Sequence, residues 1–178
     1  YKPLFVKLKL VWECNLRCQM CNHWRSKSSP LGMDFFMQAV DDLAELGCQR
    51  IHLTGGEPLL YPNLHRLVKH IKRRGIRPTL TTNGTLLSKS KALKLAKAGL
   101  RRAHISIDSP DAALHDELRG VRGSFRRTVK GFKALRAALP KAHMAINLVV
   151  SPQNYHTVAE LPKLAHKLGA NSIQLVPL

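Results

Sequence analysis

The sequence predicts an α/β fold in which six parallel strands form a curled sheet, and three observations carry that reading. Short apolar runs alternate with longer stretches of helical period. The boundaries carry turn signals, among them Leu46-Gly47, Arg74-Gly75, Ala98-Gly99 and Leu168-Gly169. The strand-like runs also keep one persistently polar face, which a flat parallel sheet covered on both sides would not need.

In chain order, a strand is expected over Phe5 to Val11 and a helix over Met33 to Leu46. Strands over Arg50 to Thr54 and Arg77 to Thr82 alternate with helices over Asn63 to Arg73 and Ser88 to Ala98. A fourth strand runs from Arg102 to Asp108, a loop follows it, and a helix spans Ser124 to Leu139. The fifth strand, His143 to Val150, leads through a helix over Thr157 to Leu168 to the sixth strand, Ser172 to Val176.

Parallel strands joined by right-handed crossovers form either an open doubly wound sheet or a full or partial barrel. Alternation favours curling. Ile51 and Leu53 oppose His52 and Thr54, and Leu80 opposes Thr79, Thr81 and Asn83. Ala103, Ile105 and Ile107 oppose His104, Ser106 and Asp108, while Met144, Ile146 and Leu148 oppose Ala145 and Asn147. Burying those polar groups unpartnered would cost roughly 1 to 3 kcal/mol each, so a concave face holding a polar ligand accounts for them. The competing account is a half-solvated sheet with ordered water.

The 178 residues are 44% hydrophobic, enough for one sizeable core, and the chain is read as one domain spanning residues 1–178. It opens at Tyr1 and closes at Leu178 directly after a strand-like run, which suggests a segment of a longer protein. No apolar run approaches the roughly 18 residues of a membrane span, and the start lacks a signal-peptide pattern, so a cytoplasmic protein is expected. Lys and Arg number 29 against 11 Asp and Glu, a formal +18 that attracts anions. The cations gather at Arg25 to Lys27, Lys72 to Arg74, Arg101 to Arg102 and Arg119 to Arg127, with few aromatic residues among them to stack bases.

Three of the four cysteines, Cys14, Cys18 and Cys21, lie within eight residues as C-x3-C-x2-C, on the loop after the first strand. Loops at strand C-termini are where βα folds place their chemistry, and crowded intracellular cysteines suggest metal. Spacing alone leaves two readings open. A four-iron cluster held by three thiolates keeps one iron vacant. A structural zinc ion would take a fourth ligand, for which His23 is placed, in a zinc-stabilised nucleic-acid-binding module that uses the basic surface. Cys48, beside the second strand, reads as a small buried hydrophobe.

The cysteine loop, together with Thr54-Gly55-Gly56-Glu57-Pro58, Thr82-Asn83-Gly84, Ser106-Ile107-Asp108 and His115-Asp116-Glu117-Leu118-Arg119-Gly120, resembles the radical S-adenosylmethionine (radical SAM) superfamily over essentially the whole chain, from Val6 to Pro177. The resemblance implies a six-stranded parallel partial (β/α)6 TIM-like barrel. It implies that Cys14, Cys18 and Cys21 ligate a [4Fe-4S] cluster whose fourth iron is chelated by S-adenosylmethionine. Reductive cleavage of that cofactor to a 5′-deoxyadenosyl radical would then abstract hydrogen from a peptide, small-molecule or RNA substrate, with electrons from a reductant such as flavodoxin or ferredoxin.

Further cofactor contacts follow from the same resemblance. Gly55 and Gly56 would bring backbone close to the ligand, and Glu57 would face the methionine amino group. Asn83, Ser106, Asp108 and Asn147 match positions used for ribose hydroxyls and the methionine carboxylate. Arg119 is a plausible carboxylate partner. Met20 would lie beside adenine, and Val176 would close the pocket through its backbone. His52 and His104 point to the polar side by alternation, and His23 and Trp24 follow the cluster loop as its shield.

Overall fold

Each strand-forming run is rich in β-branched and leucine side chains at every second position, and in the computed structural model those positions share one face. The structure describes residues 2–26 and 29–178; Tyr1, and Lys27 at the end of the first basic group, lie outside the described residues. Strands β1 (Phe5–Lys9), β2 (Arg50–Thr54), β3 (Arg77–Thr82), β4 (Arg102–Ser106), β5 (His143–Val150) and β6 (Ser172–Pro177) pair in sequence order, all parallel. The sheet is not closed: β1 and β6 are its edges, as in a partial (β/α)6 barrel.

Helices α1 (Met33–Glu45), α2 (Leu64–Arg73), α3 (Lys89–Ala98), α5 (Ser124–Ala138) and α6 (Leu161–Leu168) bury the apolar face. Ile51, Leu53, Leu80, Ala103, Ile105, Met144, Ile146 and Leu148 are fully buried there, against Val40, Leu67, Ile71, Leu95, Phe132 and Leu161. The opposite face carries the half-buried Thr54, Thr81, His104, Ser106 and Asn147. Register brings them level, since Ser106 pairs with Asn147 and Thr81 with His104. Cys48 is buried in the core, its thiol donating to the Arg50 carbonyl at 3.4 Å. Among the described residues no helix is long and apolar enough to cross a membrane.

β1 ends at Lys9 and β4 at Ser106, each two residues short of the expected strand, and two further elements depart from the sequence reading. The stretch after β4 is not a loop but a helix, α4 (Ala112–Arg119), between an Asp111 side chain that accepts from Leu114 N at 2.8 Å and a left-handed Gly120. The single helix expected over Thr157 to Leu168 is a 3-10 segment, Tyr155–Glu160, that continues into α6.

Asp116, on α4, caps the next helix. Its carboxylate accepts from Gly123 N, from Ser124 Oγ at 2.8 Å and from Phe125 N at 2.7 Å, three donors at the start of α5. Burial pushes this carboxyl up, but the bonds from Phe125, Gly123 and Ser124 outweigh it and hold it below its usual value. The contribution of Asp116 to stability is therefore present above the unfolded carboxyl value and is lost as pH falls through the lower folded one. Asp116→Ala is expected to destabilise by about 1 to 2 kcal/mol, read as a lower Tm whose deficit shrinks in acid.

Candidate cofactor site

The cysteine loop follows β1 and is held on three sides by segments distant in sequence. On one side, Gly56 N donates to Val11 O at 2.7 Å and Glu57 N to Glu13 O at 2.9 Å. A Cβ on Gly55 would stand 2.3 Å from Val11 O, and one on Gly56 would stand 2.0 Å from Glu13 O. The two glycines are thus required by the loop's own backbone, and both also line the cavity beside it. Gly56→Ala must displace that backbone; a destabilisation of about 1 to 3 kcal/mol is expected, with less iron retained after reconstitution, measured by Tm and iron analysis.

On the second side, Arg17 N donates to Arg119 O and Gln19 N to Leu118 O, so carbonyls that the C-terminus of α4 leaves unpaired receive the loop. A Cβ on Gly120 would meet Arg17 O at 2.3 Å. On the third side, Asn83 Nδ2 donates to Asn15 Oδ1 at 2.9 Å, and Asn15 Nδ2 donates to Thr85 Oγ1 at 2.8 Å.

These contacts enclose a cavity of about 310 Å³ at the C-terminal ends of the strands. The thiols of Cys14, Cys18 and Cys21, all free, line it together with Met20, Gly55, Gly56, Glu57, Asn83, Ser106, Arg119, Asn147 and Val176. Asp108 does not line it. That carboxylate is fully buried, its Oδ2 2.6 Å from Arg119 Nε and its Oδ1 accepting from Val149 N. Arg119 in turn points Nη1 at Cys18 Sγ, 3.6 Å away. Burial works against the guanidinium charge, but Asp108 and the Cys18 sulfur prevail and hold its pKa above the usual value.

Glu57 is buried and spends its oxygens on protein: Oε1 accepts from Leu59 N and Thr82 Oγ1, and Oε2 from Asn83 N at 2.8 Å. Burial still pushes its carboxyl up. Burial likewise raises the Cys14 and Cys18 thiols, the latter against the pull of Arg119. A soft metal that takes the thiolate form would reverse that.

His23 lines the same cavity, its Nδ1 3.1 Å from Cys21 Sγ and its ring stacked on Trp12 at 5.4 Å. Among the described residues no three His, Cys, Asp or Glu groups are gathered as they would be around one ion. Three free thiols lining one cavity are a donor set whose chemistry fits an iron–sulfur cluster.

His52 and His104 lie one level below, with rings 5.7 Å apart. His52 bonds to Thr79 and Thr81 and His104 to Asn147, so both are satisfied side chains beneath the cavity floor. Burial, the neighbouring His104, Lys7 and Arg50 lower His52 to about 4. Three contributors had no role assigned from the sequence: Asn15, Thr85 and His115, although His115 opens one of the motifs quoted above. His115 is buried and accepts from Asp108 N, which fixes the turn that carries the carboxylate.

The chain is similar to known proteins in sequence and in fold. The chain is 36% identical over 171 residues to the AdoMet-dependent heme synthase of Methanosarcina barkeri, covering 94% of this chain and 48% of that protein. It is 29% identical over 177 residues to the PqqA peptide cyclase of Bradyrhizobium diazoefficiens, covering 97% and 46%. The chain spans about half the length of the curated relatives it matches. In structure it resembles Streptococcus suis SuiB bound to S-adenosylmethionine, with a TM-score of 0.85 at 24% identity over 99% of this chain and 41% of that one. The pattern of the Radical SAM superfamily matches residues 13–165, a stretch that holds the whole cysteine loop, Gly55 to Glu57, Asn83, Ser106 and Arg119. The chain therefore belongs to that superfamily, whose members are enzymes that use a [4Fe-4S] cluster and S-adenosylmethionine.

Proposed function

We propose that residues 1–178 are the core domain of a longer cytoplasmic radical SAM enzyme, in which Cys14, Cys18 and Cys21 hold three irons and the fourth is left to S-adenosylmethionine. A cluster held by these cysteines would supply the electron for reductive cleavage of S-adenosylmethionine, the chemistry that initiates hydrogen abstraction from the substrate. The observation that carries this reading is that three free thiols line one cavity together with a buried arginine, polar side chains from the strand ends and apolar Met20 and Val176.

The chain's own residues bind and orient. Ser106 and Asn147, paired in register, offer hydroxyl and amide groups to the ribose. Arg119, held by Asp108 and lining the cavity, is the cation for the methionine carboxylate. Met20 and Val176 close the cavity with apolar surface against adenine. Glu57, whose oxygens are engaged, fixes the Thr82-Asn83 turn as well as facing the cavity.

The electron donor is read as a small carrier such as flavodoxin or ferredoxin. For the substrate, β1 presents Lys7 and Lys9 level with His52 and Thr54 on the polar face, and no strand carries an acidic residue, which suits a molecule bearing carboxylates. Anaerobic reconstitution with iron and sulfide tests the core reading: four irons per chain and 5′-deoxyadenosine formed with dithionite are expected, and a colourless protein holding one zinc would overturn it.

A further inference from the structure

We propose that the groove between α3 and α5 is the docking site of the electron donor, an acidic one-electron carrier protein of the flavodoxin type. The inference rests on the reductive chemistry proposed above. Three independent features of the groove support it.

The first is its size and surface. It encloses about 1020 Å³, large for a fold of this length, and lies on the outside of the barrel. Its floor is apolar, with Leu93 52% exposed and Ala134 beside it. Exposed apolar surface of this kind marks an interaction site.

The second is charge. Lys89, Arg126, Lys130 and Lys133 rim the groove, all exposed, and no acidic residue lines it among the described residues. A rim of one sign around an apolar floor steers a partner of the opposite sign and fixes its orientation. That selects a carrier with an acidic face.

The third is the connection to the cofactor site. Thr85 forms the upper end of the groove and accepts from Asn15 Nδ2 at 2.8 Å. Asn15 follows Cys14 directly, so two side chains separate a docked carrier from a cluster-ligating thiol. α5 can approach this end closely because Gly131 has no side chain; a Cβ there would stand 2.1 Å from Gly84 O. In each docking event the carrier is oxidised by one electron and the cysteine-bound cluster reduced by one, and no atom or proton changes hands.

The test uses the full-length, cluster-loaded enzyme and flavodoxin in its hydroquinone form. Arg126→Glu combined with Lys130→Glu is expected to weaken flavodoxin binding at least about tenfold by calorimetry at low salt, and to lower the ratio of flavodoxin-driven to dithionite-driven 5′-deoxyadenosine formation by a similar factor. The same charge change on other helices, Lys69→Glu with Lys163→Glu, should leave both readouts unchanged. Unaltered affinity and ratio in the groove variant would overturn the proposal. So would a fall in Tm with no change in ratio, the mark of a groove covered by the enzyme's own chain. Absence of dithionite-driven product from the unsubstituted enzyme would instead overturn the reading of the cysteine site.

Discussion

Asp108→Ala is expected to destabilise the protein by about 3 to 5 kcal/mol, the usual consequence of leaving the other half of a buried ion pair without its partner. Asp108 is fully buried and Arg119 only 9% exposed, so little water reaches the stranded guanidinium. The substitution also removes the acceptor for Val149 N. For a domain of this size that corresponds to a fall in Tm of roughly 10 °C or more. The double variant Asp108→Ala with Arg119→Leu should recover more than half of the loss, because neither charge is then stranded. If the single and double variants melt together, the pair is not what holds the turn after β4.

Cys18→Ala is expected to abolish both cluster retention and cleavage of S-adenosylmethionine. Two thiolates cannot hold a four-iron cluster against loss to solvent, and Cys18 is the most buried of the three thiols, with Arg119 as its nearest cation. Iron and sulfide analysis, the visible absorption of the cluster, and 5′-deoxyadenosine formed with dithionite should all fall to background. Cleavage that survives in this variant would show that Cys18 is not a ligand. The control Cys48→Ala removes a core thiol distant from the loop and should retain the cluster, at a modest cost in stability.

The sheet was legible because a parallel strand with one polar face writes its orientation into alternate residues. Ser106, Asn147, Thr81 and Asn83 all reached the cavity that parity assigned them. Asp108 has the same parity, but β4 ends at Ser106, and the turn fixed by His115 sends its carboxylate behind Arg119. Helix α4 has only eight residues and few apolar positions, so periodicity is weak there; Asp111 and Gly120, its capping residues, were the available signal.

The close approach of the backbone of Val11 to Glu13 to Gly55 and Gly56 is a contact between loops that the glycine pattern alone did not specify. Asn15 and Thr85 could not be identified from local pattern. Their role exists only where three loops meet, and no spacing rule along one chain encodes that meeting.

The fastening of the cysteine loop has a consequence during synthesis. Its Gln19 and Cys18 contacts join residues 98 and 101 positions apart. At the usual pace of about 5 to 20 residues per second, those partners emerge from the ribosome roughly 5 to 20 s after the loop itself. Throughout that interval the cysteines lack the α4 contacts that give the loop its shape.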